Sequence, residues 1–367
     1  MNIQDIQKLY GVLPQGNALI KTMGEKSVRT IFLQGLLASA TPMFFASIVK
    51  RLQKTILFVL NDNDEAGYFY NDLKTIAMPD DANEQTAEVL FFPSSYRRAV
   101  KYGQRDAGNE ILRTEVLSRL SVINEEKTTS SLPLCIVTEP SALAELVVAK
   151  HKLDEHTLSI SVGQTIDLTE TEKTLRSYGF QQVDYVYEPG QFAVRGSILD
   201  VYSFSSELPY RIDFFGNDVD TIRTFEVETQ LSKDKKEKVE IVPELATLSE
   251  EKIPFLQFLP KESVLVMKDL LYIHDTIERI YNEGFTAQAL TEQLEGRTEI
   301  EQNELRKQLQ ANLQLVTAQQ FNDDALNFKR IEFGTKHTNA KAIIHFNISP
   351  QPLFHKNFEL LTQSLKD

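Results

Sequence analysis

Two sets of residues in this chain have types and spacing that could do chemistry. The first is Gly35-Leu36-Leu37-Ala38-Ser39-Ala40-Thr41-Pro42. It follows the apolar run Thr30-Ile31-Phe32-Leu33 and leads into Met43-Phe44-Phe45-Ala46-Ser47-Ile48-Val49. Strand, glycine turn and helix form the setting of a phosphate-binding loop, G-x-x-x-x-G-K-[ST]. In such a loop the backbone amides and the lysine cradle phosphates, while the hydroxyl holds magnesium. Here only Gly35 fits. Ala40 stands at the second glycine, Thr41 at the lysine and Pro42 at the hydroxyl. Pro42 also has no N–H to offer a phosphate and suits the first turn of a helix. Leu36 and Leu37 put apolar bulk where phosphate would lie. The expectation is a degenerate loop that binds no nucleotide and serves as a structural turn.

The second set lies in Tyr187 to Arg223. Read as one strand, residues 192–201 place Phe192, Val194, Gly196, Ile198 and Asp200 on one face. Ala193, Arg195, Ser197, Leu199 and Val201 then share the other. In the following strand Arg211, Asp213 and Phe215 share a face, opposite Tyr210, Ile212 and Phe214. If the strands are neighbours, Arg195 joins that row. A cation, an anion and an aromatic in one row suit a protein interface with charge pairs and an anchor. They suit equally a solvent-facing row of ion pairs with little energy in it. Spacing alone leaves both open.

The remaining candidates read as structural. Asp64-Glu65-Ala66-Gly67 resembles a helicase DExx box, but the acids come four residues after the apolar run TILFVL ends at Leu60. Acids at a helix start are favoured by the helix dipole. The six histidines, at 151, 156, 274, 337, 345 and 355, show no metal spacing with Cys135 and no H-E-x-x-H, so no metal site is expected. No G-x-S-x-G nucleophile appears, and no catalytic residue or cofactor is expected. The basic cluster Arg97 to Arg105, with Tyr96 and Tyr102 interleaved, could touch phosphates or be a solvated loop.

These residues need elements to hold them. Residues up to about 151 alternate strand and helix: apolar runs at 55–60, 88–92 and 134–138, helices through about Ile76, over 106–124, and from Pro140 through Val148. That alternation predicts an α/β fold, a parallel sheet with helices on its faces. From about 152 to 240 short alternating segments punctuated by glycine and proline predict a mostly antiparallel domain. Leu168 to Tyr178 reads as its one helix, and Ser232 to Lys238 as a turn near its end. From 241 to 367 the pattern is mixed again. Strands are expected at 264–268 and 342–348, and helices over 269–282, about 286–320 and Phe358 to Leu365.

Composition narrows the function classes. A net charge of −13 over 367 residues argues against nucleic acid as the main ligand, because the phosphate backbone repels an acidic protein. One cysteine makes no internal disulfide, which fits a reducing cytoplasm. No secretory signal and no membrane span are expected, since no run approaches eighteen apolar residues.

The segment PGQFAVRGSILDVY, followed by ELPYRIDFFGNDVDTIRTFEVETQLS, resembles the signature of bacterial transcription-repair coupling factors. The nucleotide-excision-repair protein UvrB has a related segment. TILFVLNDNDEAGYFYNDLK and AIIHFNISPQPLFHKNFELL resemble its flanks, so the resemblance runs along nearly the whole chain. At FFPSSYRRAV the family has a proline–aromatic–acidic stretch, from which Tyr96 to Val100 departs. The resemblance implies a UvrB-homology module. Its domain 1a is a helicase-like fold with a degenerate phosphate loop, domain 2 is an inserted α+β domain, and domain 1b returns to pack on domain 1a. It implies that domain 2 binds UvrA, and that Arg195, Arg211, Asp213 and Phe215 fall on that interface. Ala193 stands where UvrB has another arginine. The family is an ATP-dependent DNA translocase whose motor and RNA-polymerase-binding domains lie further along. The resemblance also implies that a C-terminal domain masks the UvrA face, and that RNA polymerase and DNA are met only through those other domains. The rival expectation is a UvrB-like domain that keeps DNA or nucleotide contacts of its own.

Overall fold

The computed structural model describes residues 3–79, 84–95, 107–125, 132–245, 251–283, 302, 315–337, 339–348 and 358–364. After two short helices, Ile3–Gly11 and Pro14–Gly24, the chain enters β1 (Thr30–Gln34), the helix Ala40–Leu52 and β2 (Ile56–Val59). Asp62 then caps the helix Asn63–Ala77 by accepting a hydrogen bond from the Glu65 amide at 2.9 Å. Asp64 and Glu65 therefore sit in a first helical turn, where the helix dipole favours acids. β3 (Glu88–Phe92), the helix Ala107–Glu125 and β4 (Leu134–Thr138) complete the first run.

The chain then changes style. A single turn, Pro140–Leu143, replaces the helix expected through Val148. Leu146–Val148 forms β5 instead, antiparallel to β14 below, because its two valines favour an extended strand. β6 (Leu158–Ser161), the helix Leu168–Ser177, β7 (Gln181–Gln182), β8 (Gln191–Arg195), β9 (Ile198–Val201), β10 (Tyr210–Phe215), β11 (Asp218–Phe225), β12 (Ser232–Lys236) and β13 (Lys238–Ile241) follow. β14 (Lys252–Pro254), β15 (Val264–Lys268), the helix Leu270–Glu283, the helix Ala318–Ala325, β16 (Lys329–Phe333), β17 (Ala342–His345) and the helix Phe358–Ser364 end the described chain.

Two sheets organise these elements. The first has seven strands in the order β17-β1-β16-β15-β2-β4-β3, all pairs parallel. The late strands β15 and β16 thus enter between β1 and β2, so the excursion after β4 returns to the middle of the sheet where it began. β2 and β4 are buried along their whole length, as strands covered on both faces must be. The second sheet has six strands, β12-β11-β10-β9-β8-β7, antiparallel except between β7 and β8. Phe192, Leu199, Val201, Ile212, Phe214 and Ile222 line its inner face, against Leu175 of the helix Leu168–Ser177.

Four further sequence expectations change. Residues 192–201 are not one strand but a hairpin, β8 and β9, turning at Gly196 and Ser197. Ser232–Lys236 is not a turn but an edge strand with all five residues exposed. β16 was not anticipated, and it sits in the middle of the parallel sheet. The helix expected over 286–320 falls mostly outside the described residues; at its end Thr317 starts a separate helix by accepting from the Gln320 amide at 3.0 Å.

Candidate functional site

The degenerate phosphate loop lies at the end of β1, where the sheet's carboxyl ends would hold a ligand. Gly35 adopts φ 79°, and a Cβ there would come within 2.5 Å of the Phe346 carbonyl oxygen. The backbone after β17 therefore occupies the space above it. Three amides at the loop's end are already used: Ala40 donates to the Leu37 carbonyl at 3.2 Å, Thr41 to Ala38 at 3.0 Å and Met43 to Ser39 at 3.3 Å. Thr41 and Pro42 are buried, and Leu36 is 1% exposed within the cluster that holds Phe44 and Phe45. A cavity of about 260 Å³ beside the loop is lined by Leu36, Leu37, Pro42, Phe69 and Phe333. Lys268 also reaches it but is paired with Glu65, which accepts from the Asn61 amide at 3.2 Å as well. The amides at the loop's end and the Lys268 cation are thus committed, and apolar side chains make up much of the cavity's lining.

The outer face of the six-stranded sheet is different. The β8–β9 register sets Ala193 opposite Asp200 and Arg195 opposite Ile198. The β9–β10 register sets Asp200 opposite Arg211 and Ile198 opposite Asp213. Arg195 therefore shares a face with Arg211 and Asp213, and Phe215 follows on that face by alternation along β10. The hinge of this arrangement is Asp200, whose side chain is 0% exposed. Arg211 donates to it through Nε at 2.7 Å and Nη2 at 2.9 Å, and Arg195 donates through Nη2. A planar guanidinium gripping a carboxylate with two bonds is fixed in direction as well as place. The hydrogen bonds to Asp200 hold the Arg211 guanidinium above its ordinary pKa.

Each arginine is also braced from a second side. The Arg211 guanidinium lies 4.4 Å from the Phe225 ring centroid and donates to the Gln230 carbonyl at 3.0 Å. The Arg195 guanidinium lies 5.0 Å from the Tyr185 ring. Asp213 accepts from Thr221 Oγ1 at 2.7 Å and from Arg223 Nη2. Phe215 follows a register shift between Asp213 and Phe214 and precedes the Gly216–Asn217 turn. Phe215 is 83% exposed. The four residues expected from the sequence do come together. What spacing missed is Asp200 and the ring supports, Tyr185 and Phe225. The missed signal was Arg195-Gly196-Ser197-Ile198: a Gly-Ser pair between strand-like runs marks a two-residue hairpin turn. Gly196 adopts φ 64°, as the first position of such a turn requires.

The other candidates recede. The Arg97–Arg105 cluster lies wholly outside the described residues. Its approach is pinned by buried Glu145, which accepts from Ser94 Oγ at 2.7 Å and the Ser95 amide at 2.9 Å and lies 3.5 Å from Arg113. Cys135 is buried in β4, and burial pushes its thiol pKa up. Among the described residues, His274, Asp275 and Glu278 are the one group of metal-ligating types within 4.8 Å of one another, partly or fully exposed on a helix surface. No described helix is long and apolar enough to cross a membrane.

Residues 158–246 match the family model of the UvrB interaction domain, a span that contains Arg195, Arg211, Asp213 and Phe215. The chain is 33% identical over 128 residues to the transcription-repair-coupling factor of Escherichia coli strain K12, covering 35% of this chain and 11% of that protein. It is 28% identical over 156 residues to the factor of Haemophilus influenzae, covering 42% and 13%. It is 27% identical over 230 residues to the factor of Bacillus subtilis strain 168, covering 60% and 18%. The matches thus span less than a fifth of these relatives' own length. They bear out the resemblance read from the signature segment.

Proposed function

We propose that this chain is a recruitment module of transcription-coupled nucleotide excision repair that binds UvrA through the outer face of the six-stranded sheet. The observation that carries the reading is the pair Arg195 and Arg211, aimed by one buried carboxylate beside an exposed phenylalanine, within the span that matches the UvrB interaction domain. A binding site gains affinity when its charged groups are fixed before the partner arrives. Here Asp200 fixes them. Phe215 supplies the apolar anchor that such sites place among charged pairs. The committed amides and apolar filling at Gly35 to Pro42 support a module without catalysis of its own. ATP-driven translocation, RNA polymerase binding and the masking of the UvrA face belong, in this reading, to other domains of a longer protein. The limits 1–151, 152–240 and 241–367 go with it. The parallel strands fall before 139 and after 263, and the six-stranded sheet falls between 181 and 236. A cytoplasmic place goes with the same reading.

The test is UvrA binding to the wild-type chain and to Arg211→Ala/Phe215→Ala, with calorimetry of ATP–magnesium as a second arm. The double variant should lose about 2–5 kcal/mol of binding free energy, the usual cost of truncating a buried charge partner. ATP should give no heat. Unchanged UvrA affinity in the double variant rejects the site, and ATP binding rejects the scaffold role of the loop.

A further inference from the structure

We infer that the docking face extends across β11 to the edge strand β12, and that the partner presents carboxylates opposite Arg223 and Lys235. The inference rests on the UvrA reading of the same face. Strand register places Asp200, Arg211, Arg223 and Lys235 side by side on β9, β10, β11 and β12. Neighbouring strands run about 4.8 Å apart. Like charges directly opposite each other destabilise a sheet. Three consecutive cations therefore repel one another, and the row supplies little relief. Asp200 is already shared by Arg195 and Arg211, and Asp213 reaches Arg223 from the adjacent row. The Nε of Arg223 is buried and has no hydrogen-bond partner among the described residues. Lys235 is exposed and forms no ion pair among the described residues, whereas Lys233, on the same strand, is held by Glu226 at 2.9 Å.

Stability alone would place an acid at one of the three positions. Asp200 and Asp213 offset Arg211 and Arg223, so Lys235 is the cation of the row with no ion pair among the described residues, and breaks of a local rule concentrate at functional sites. Protection of the sheet edge explains some lysine on β12. It does not explain a cation in line with two arginines, because Lys233 and Lys236 already charge that edge. An acidic protein surface fits better than a phosphate backbone. Asp200 and Asp213 interleave with the cations, Tyr185 and Phe215 are exposed beside them, and the whole chain carries −13. Those anions and rings suit a surface of mixed charge and apolar pockets.

The experiment measures association and dissociation rates of the chain with UvrA from low to high salt, for wild type, Lys235→Glu and Phe215→Ala. A charge at the rim of an interface acts on the on-rate and on salt dependence. Lys235→Glu should slow association about tenfold at low salt, with the difference vanishing at high salt as screening lengths fall to about 3 Å. Phe215→Ala should speed dissociation at every salt. Lys235 is exposed on an edge strand, so the variant keeps the fold, and its melting curve checks this. If Lys235→Glu leaves association unchanged while Phe215→Ala weakens the complex, the extension is overturned and the UvrA reading stands. If the wild type does not bind UvrA, both fall. If Lys235→Glu instead slows association with a DNA duplex, the row belongs to nucleic acid and the inference is overturned.

Discussion

The end of β1 and the outer face of the six-stranded sheet began as rival sites, and they have opposite constructions. At β1 the polar groups are turned inward: three loop amides bond to loop carbonyls, Lys268 pairs with Glu65, and Leu36 is buried among the core side chains. On the sheet face the polar groups are paired yet presented. Asp200 is fully buried, but the arginines it holds reach the surface, with side-chain exposures of 14% for Arg211 and 35% for Arg195. A pairing that ends inside the protein stabilises a fold. A pairing that starts inside and ends outside fixes a surface for something else to meet. The difference lies in where the buried partner sits, not in how many charges there are.

The strongest break of this comparison is a matched pair of truncations. Asp200→Ala removes the carboxylate and leaves two arginines without their partner. It should cost about 3–5 kcal/mol in denaturant unfolding, the usual cost of breaking a buried ion pair, and it should weaken UvrA binding in the folded fraction. Leu36→Ala should cost about 2–5 kcal/mol as a core truncation and leave UvrA affinity of the folded protein unchanged. If Leu36→Ala also weakens UvrA binding, the two regions are not functionally separate.

These two residues also show what could be read without coordinates. The loop's departure from a phosphate-binding pattern was legible, because Ala40, Thr41 and Pro42 each lack a group that the pattern needs. The parallel sheet was legible from apolar runs, since strands buried on both faces write themselves as continuous hydrophobic segments. The place of β16 was not, because Lys-Arg-Ile-Glu-Phe alternates like a surface strand and only long-range pairing with β1 and β15 puts it in the middle. Asp200 was hidden by a phase error of one turn. Reading 192–201 as one strand put Asp200 on the face opposite Arg195, whereas the Gly196–Ser197 turn folds them onto the same face. In a strand with period two, a missed two-residue turn reverses a residue's apparent partners.

The border between the parallel-sheet part of the chain and the loop that joins β9 to β10 gives a smaller effect. Glu115, on the helix Ala107–Glu125, is partly buried and lies near Glu207, from the loop between β9 and β10, and Glu88. Burial and these two acids raise its pKa from 4.5 to about 7, with Lys74 pulling the other way. A carboxyl whose folded pKa is raised contributes stability below its unfolded pKa, and that contribution is lost as pH rises through the folded value. Stability from this group should therefore fall between about pH 4.5 and about pH 7 and level off above. At about 1.4 kcal/mol per unit the ceiling is near 3 kcal/mol. With Glu115 only partly buried, about 2 kcal/mol is the expected change. Glu115→Gln should flatten this part of the stability–pH curve and be more stable than wild type at pH 8. An unchanged curve would mean that the two acids do not meet at this border.

The smallest stability effect separates the regions most cleanly. Phe215 is 83% exposed, so Phe215→Ala removes a ring that buries little against its own chain. The change in unfolding free energy should stay within about 0.5 kcal/mol, as for surface substitutions generally. A core phenylalanine such as Phe45, which packs edge-on against Phe58 at 5.0 Å, has the opposite profile. If Phe215→Ala instead costs 2 kcal/mol or more in denaturant, the ring is part of the sheet's own packing and its exposure has been misread. If stability holds and UvrA binding falls, the ring does its work only when a second surface covers it. That outcome would place binding on a side chain that contributes almost nothing to the folding of its own chain.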